Sequence, residues 1–344
     1  MIVSKGISFP KMVAWSWHHV TWLLVVMSFA AWLYDIGFFA VHIPWVATSV
    51  IGTAVAFYVG FKNNQAYDRM WEARKIWGGI VNDSRTWGMM VDGYVSDQFS
   101  PISLSNDALH QIKRQLIYTH IGWLYAHRSQ LLLPTSWEHA SQRGPIGKTA
   151  LRYQQLFGLG LVDDEVSQTE LKRFLPETEY ERLIHCKNTA TQIINEQSRT
   201  LASLREQHLI DDFRHVEMTN VLKSFYTLQG KNERIKKFPL PRQYANISRY
   251  FVGIFIMLLP FSLIPEMQDI SSWGVYFGGL ITALVGYVYI MMEIVGDYSE
   301  NPFQGMANDI PMLSLCRVIE IDLREMLGET DLPAPIQAKR NILM

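Results

Sequence analysis

The chain has 344 residues, of which 49% are hydrophobic and 18% are charged, and its formal net charge is −1. A nearly neutral chain without blocks of like charge gives no reason to expect a nucleic-acid partner or a disordered tail. The two cysteines, Cys186 and Cys316, lie far apart and lack the spacing of a metal site, so no disulfide framework and no zinc centre is predicted. This composition is typical of a chain that combines apolar membrane segments with a long polar part.

The first membrane span is predicted from Val20 to Ala40, although Asp35 interrupts it. Tryptophans on either side of this run fit anchoring at the membrane surface. The N-terminal residues do not form a compact apolar core followed by a small-residue cleavage site, so we expect them to remain in the mature protein.

The second apolar run is the most informative part of the chain. Residues 43–61 carry no charge, and no proline occurs between Pro44 and Pro101. About 19 helical residues at 1.5 Å each span roughly 28 Å, which is enough to cross the hydrocarbon core of a membrane. Because no helix breaker follows, we predict one long helix that leaves the membrane and continues into water.

The remaining chain is predicted to be helical as well, so the expected fold class is all-α with four membrane spans. Apolar residues recur at helical spacing through residues 62–248, which predicts a helical cytosolic domain. The third and fourth spans are predicted at Tyr250–Pro265 and Trp273–Met292. The expected segments are residues 1–61, 62–248, 249–296 and 297–344.

The charges beside the spans predict their orientation. The links at residues 34–44 and 265–273 contain no Lys or Arg, whereas the other span ends carry several. Lys and Arg favour the cytoplasmic side. Both termini and the large middle segment are therefore expected in the cytosol of a protein of the cell membrane.

Two motifs stand out in different parts of the chain. The sequence following Gly60 reads FKNNQAYDRMWEAR, and ENPF at residues 300–303 is followed by NDIP at residues 308–311. Together these motifs resemble the bestrophin family of ion channels, in its bacterial branch. The resemblance extends over nearly the whole chain. It implies a homopentamer around one central pore, in which the second helix of each subunit lines a narrow neck and then a wider cytosolic vestibule.

The resemblance places the pore neck on Thr53, Phe57 and Phe61, which are spaced four residues apart and share one helix face. Rings of phenylalanine can close a pore by dewetting and open when the side chains move away. Packing between helices is the alternative role for these phenylalanines. The family has a second, lower constriction near the segment around His215 and Val216. Because this chain has diverged there, no residue is predicted to form that constriction.

The ion preference stays open at this level. Aromatic ring edges carry partial positive charge and tolerate anions, which favours chloride-like ions. Lys62 would add a cationic ring below Phe61, whereas Asp68 and Glu72 in the vestibule would favour cations. Each of these three charges can instead lie in a salt bridge between subunits or on a solvated face, so a cation channel of the same fold remains the alternative.

The eukaryotic branch of the family holds calcium just after Asn-Pro-Phe, on a run of acidic residues. This chain keeps Asn301 and Asp309, but Gly305, Met306, Ala307 and Asn308 stand where acidic residues are needed. We therefore predict no calcium gating of that kind, and we expect Asp309 to cap the backbone or to bridge subunits.

No enzyme motif is present, since the chain lacks a phosphate-binding glycine loop and a nucleophile motif. No cofactor is expected, and the expected partners are further copies of the chain, monovalent ions and membrane lipid. A membrane-anchored scaffold that conducts no ions is the alternative from another class.

Overall fold

A computed structural model of the chain describes residues 1–6, 9–38, 41–101, 103–156 and 171–344. Within these ranges the protein is all-α, as predicted, and extended segments pair only in isolated bridges. The helices are α1 (Phe9–Asp35), α2 (Trp45–Tyr94), α3 (Asn106–Leu132), α4 (Pro145–Leu156), α5 (Glu177–Ile184), α6 (Thr189–Glu206), α7 (Asp212–Lys237), α8 (Arg242–Gln268), α9 (Gly274–Ser299) and α10 (Met312–Met326). A short 3-10 turn, His139–Ser141, lies between α3 and α4.

The chain divides into two compact units. The first unit comprises residues 1–3, 70–238 and 302–344, and the second comprises residues 4–69 and 239–301. The second unit holds the apolar helices and is called the membrane unit below, and the first is called the helical unit. The predicted borders after residues 61 and 248 fall inside the membrane unit, because residues 62–69, after one apolar run, and residues 239–248, before the next, still pack within it.

The membrane unit is built from α1, α8, α9 and the first half of α2. Its core joins side chains from all four helices: Leu23, Met27, Val55, Val59, Val252, Phe255, Ile256, Leu259, Leu263 and Ala283. Glycines on α9 let its neighbours approach closely. A Cβ at Gly279 would lie 3.1 Å from the Met27 carbonyl oxygen, and one at Gly286 would lie 3.2 Å from Leu23. Small residues at such contacts are typical of helix packing in membranes.

Three of the described helices, α2, α8 and α9, are long and apolar enough to span a membrane. The helix α1 is not among them, although it packs into the same core, because Trp and His residues reduce the hydropathy of its first half. The last two residues of the predicted first span, 39–40, lie outside the described residues. The count of four spans therefore stays a prediction.

The prediction of one long second helix is confirmed, since α2 runs without a break for 50 residues. Its length follows from the sequence, which offers no proline over this range. In contrast, α8 contains Pro260 and Pro265 and still continues to Gln268, beyond the predicted end of the third span. Proline is tolerated in membrane helices because neighbouring groups satisfy the freed carbonyls.

The helical unit has an aromatic core centred on α3. His120, Trp123 and His127 share one face of α3, and all three are fully buried. The rings of Trp123 and His127 are parallel, with centroids 5.7 Å apart, and Phe225 of α7 packs against Trp123 at 4.9 Å. This stack holds α3 against α7.

Candidate pore-lining surface

The predicted neck residues lie together on an exposed face of α2. Phe57 is 65% exposed and Phe61 is 61% exposed, and Thr53 is exposed on the same side. The opposite face of the helix is buried, since Val55 and Val59 are 4% and 0% exposed. The hydroxyl of Thr53 donates to the Ser49 carbonyl oxygen at 2.9 Å, so it is already bonded within the helix. The pore-lining role of this face stays a prediction.

Lys62 does not lie on this exposed face, which corrects its assignment as a vestibule charge. Its side chain is fully buried, and its Nζ lies 2.5 Å from Glu293 Oε1. One helical residue corresponds to a rotation of about 100°, so the residue that follows Phe61 is turned towards the inside of the bundle. The charge of Lys62 is therefore neutralised within its own chain.

The other two candidate charges have different surroundings. Asp68 is exposed on α2 and makes no hydrogen bond or ion pair with the described residues. Glu72 is partly exposed, and its Oε1 accepts from Arg234 of α7 at 2.9 Å within the helical unit. A surface pair of this kind is worth about 0–1 kcal/mol. Asp68 is thus the candidate that keeps an uncompensated charge.

The two residues retained from the calcium motif are both buried, and each is engaged with its own chain. Asn301 donates to Glu300 Oε1 at 3.2 Å. Asp309 accepts from the backbone N–H groups of Phe303, Gly305 and Ile310 at 2.7–2.9 Å. The prediction that Asp309 caps backbone groups is confirmed. Over the described ranges, no group of three or more His, Cys, Asp or Glu is placed to hold a metal ion.

A lysine ammonium lies beside the loop that Asp309 caps. Lys236, 5% exposed, places its Nζ 2.5 Å from Glu138 Oε1 and 3.3 Å from the Phe303 carbonyl oxygen. Phe303 itself has a positive φ of 70°, a conformation that costs energy in a residue with a side chain. The loop at residues 303–310 is thus held by a carboxylate on its amides and by an ammonium on one carbonyl.

The sequence analysis missed the residues that pair with Lys62. Glu293 is 5% exposed, and Ser248 of α8 donates to the same carboxylate oxygen at 2.9 Å. One signal was available, since Lys62 directly follows one apolar run and Glu293 directly follows another. Ionisable residues at such positions usually find each other, because an unpaired charge there is costly.

The segment near His215 and Val216, which the sequence analysis left unassigned, begins α7. Phe213 and Val216 are three residues apart on one face of this helix and are 87% and 55% exposed. The second constriction of the family therefore stays unassigned in this chain, although the segment itself is helical.

Comparison with known proteins identifies the family of this all-α membrane protein. The model of the bacterial and fungal bestrophin proteins matches residues 4–325. The chain therefore belongs to the bestrophin family, as its motifs predicted.

Curated relatives carry a functional name. The voltage-dependent anion channel-forming protein YneE of Escherichia coli K12 is 25% identical over 293 residues, which cover 85% of this chain and 80% of that protein. The protein mll4386 of Mesorhizobium japonicum, also named as voltage-dependent anion channel-forming, is 25% identical over 328 residues, 95% of this chain and 88% of that protein. Both relatives are thus named as channel-forming proteins, and neither carries the name of an enzyme.

Solved structures share the fold. A bacterial bestrophin homologue from Klebsiella pneumoniae superposes with a TM-score of 0.70 at 22% identity, over 91% of this chain and 98% of that one. A crystal structure described only as that of a membrane protein variant gives 0.71 at 21% identity, over 92% and 99%. At this identity the likeness establishes the fold alone.

Proposed function

We propose that this protein is a membrane channel for small monovalent anions such as chloride, with a pore lined by the exposed face of α2. The exposure of Phe57 and Phe61 carries the proposal, because these large apolar side chains lie on a helix whose opposite face is closely packed. Such a face in a membrane protein contacts lipid or surrounds an axis with further copies of itself. The bestrophin family and the names of the relatives favour an axis.

We also propose that five copies assemble around this axis, as the resemblance implies. Rings of Phe57 and Phe61 would then form the neck, and ions would pass it after losing part of their hydration shell. The mass of the detergent-solubilised particle tests this stoichiometry. It is expected near five times the 39.7 kDa of one chain, and a monomeric or dimeric particle would contradict it.

The distribution of Lys and Arg supports a cytosolic position for both termini and for the helical unit in the cell membrane. Ring edges at the neck carry partial positive charge and favour an anion. The ion pair of Lys62 with Glu293 adds no net charge beside Phe61. The preference for anions then rests on the aromatic rings and not on a ring of lysines.

A cation channel of the same fold is the second candidate, and the exposed carboxylate of Asp68 favours it. Five copies of an unpaired carboxylate below the neck would attract cations. The variant Asp68→Asn separates the two candidates. In an anion channel it should raise the chloride preference slightly, whereas in a cation channel it should remove most of the sodium current. A scaffold would pass neither ion.

Purified protein in liposomes provides the direct test of conduction. Vesicles loaded with chloride and diluted into a chloride-free buffer should release the ion once a potassium ionophore balances the charge. Empty vesicles and vesicles with heat-unfolded protein serve as controls. Wild-type protein that passes neither chloride nor sodium would contradict the proposal and favour the scaffold.

A further inference from the structure

Directly after Phe61, α2 is attached to two other helices through a buried ion pair. Lys62 Nζ lies 2.5 Å from Glu293 Oε1 on α9, and Ser248 Oγ on α8 donates to the same oxygen at 2.9 Å. All three side chains are buried, since Lys62, Glu293 and Ser248 are 0%, 5% and 0% exposed. A single carboxylate therefore joins α2, α8 and α9 at the level of the lower neck residue.

The next residue adds a second attachment to α9. Asn63 Nδ2 donates to the Met292 carbonyl oxygen at 2.9 Å, and the Asn63 side chain packs directly on Gly296, where a Cβ would collide with its Oδ1. Two successive residues of α2 thus contact residues 292, 293 and 296 of α9. These contacts fix both the height and the rotation of α2 where Phe61 projects.

Stability alone does not explain why an ion pair lies here. Two buried charges lose their hydration, and a well-packed apolar pair of similar volume is often as stable or more stable. A charge pair differs from an apolar contact in its selectivity, since the buried ammonium needs an arrangement of the helices that brings Nζ to Oε1, whereas apolar side chains accept many partners. The energetically costly pair is therefore suited to selecting one rotation of α2.

We propose that Lys62 is a positioning residue for the pore, and that its pair with Glu293 holds Phe61 in the neck and keeps the lysine charge out of the ion path. This inference rests on the proposed function. It assigns to Lys62 the opposite role from a vestibule charge: the lysine acts on the pore through the orientation of Phe61. Without the pair, α2 can rotate at this level, and the lower apolar ring loosens.

The first test uses the variants Glu293→Gln and Phe61→Ala, alone and combined, in the chloride-release assay. We expect Glu293→Gln to raise the resting chloride leak about tenfold, the size of a coupling between contacting residues. Because the pair acts through Phe61, the same change should add little in the Phe61→Ala background. If the pair served only stability, Glu293→Gln would lower the folded yield equally in the wild-type and the Phe61→Ala backgrounds. Its effect on the leak would then be the same in both backgrounds.

A second variant protects the test from misfolding. Glu293→Gln leaves a buried lysine charge unpaired and can prevent folding, whereas Lys62→Met with Glu293→Met removes both charges and keeps the volume. This double variant should fold, leak like Glu293→Gln and keep the wild-type reversal potential, because a neutral pair has been replaced by a neutral pair.

The exposed ion pair Arg249–Asp297 provides the matched control, since it joins α8 and α9 at 3.2 Å. Arg249→Gln should leave the leak unchanged. A folded Lys62→Met, Glu293→Met variant with the wild-type leak would overturn the inference, as would a Glu293→Gln effect of undiminished size on Phe61→Ala. Wild-type protein that conducts nothing would instead overturn the proposed function, so the two failures are distinct.

Discussion

In the proposed channel, Phe57 and Phe61 line the pore from one face of α2 while the other face holds the bundle together. Their side chains are exposed, while Val55 and Val59 pack into the membrane core. An apolar ring repels water because it cannot replace the hydrogen bonds that water and ions lose. In the proposed neck, the barrier to ions would therefore depend on ring size more than on charge.

Truncating this ring should open the pore. We expect Phe57→Ala and Phe61→Ala each to raise the resting chloride leak about tenfold, a loss of roughly 1.4 kcal/mol in the barrier. The change Leu284→Ala on α9 is the matched control, since Leu284 is also a large exposed apolar residue, at 58%. Equal leaks in all three variants would mean that the phenylalanines face lipid.

In the helical unit, the buried Lys236 stabilises the fold through its ion pair with Glu138. Replacing it by Met leaves Glu138 buried without its cation, and breaking such a pair costs about 3–5 kcal/mol. We expect Lys236→Met to lower the melting temperature of the solubilised protein clearly. The neighbouring Lys237 is 70% exposed at its side chain, so Lys237→Met should change little. Equal melting temperatures of the two variants would refute the role of the buried ammonium.

At the scale of elements, the helix α3 carries two buried histidines that must stay neutral. Burial lowers the pKa of His120 to about 3 and that of His127 to about 4. His120 Nε2 lies 2.9 Å from the hydroxyl of Ser84, and His127 Nε2 lies 3.1 Å from Asn232 Nδ2. Neutral imidazoles suit these contacts inside an aromatic core.

The lowered pKa values predict a dependence of stability on pH. In the unfolded chain these histidines take up protons below about pH 6.5, whereas in the folded protein they do so only near pH 3–4. The contribution of the two neutral histidines to the free energy of unfolding is therefore complete above pH 6.5. It is lost as the pH falls towards 4, by on the order of 1 kcal/mol per pH unit for each histidine.

Thermal unfolding between pH 7.5 and 5 measures this effect. His127→Gln should flatten the decline of the melting temperature, whereas His110→Gln should not, because His110 is exposed on the same helix. If the melting temperature of His127→Gln declines with falling pH as steeply as that of the wild type, the buried histidines do not cause the decline.

The elements also show what the sequence could predict. The long α2 followed from an uncharged run without proline, and that prediction is confirmed. The partner of Lys62 did not follow, because the periodicity of one helix does not say which residue of another lies opposite. Glu293 and Ser248 are about 230 and 190 residues away in sequence, so only the packing of α2, α8 and α9 reveals the site.

For the whole molecule, motifs spread along the chain predicted the family, and the family match over residues 4–325 confirms it. Selectivity is less accessible to sequence analysis, because the sign of a ring of charges depends on which side of a helix each residue occupies. Lys62 illustrates this, since it is buried and paired although it stands next to an exposed neck residue. The proposed neck would form only where copies of the chain meet, so its symmetry is a property of the proposed assembly.

The reversal potential of purified protein in a planar bilayer, under a gradient of potassium chloride, tests the central claim most directly. We predict a current that reverses near the chloride equilibrium potential, and a larger resting current of the same sign for Phe61→Ala. A current that reverses near the potassium equilibrium potential would contradict the anion channel, and the absence of any current would contradict the channel itself.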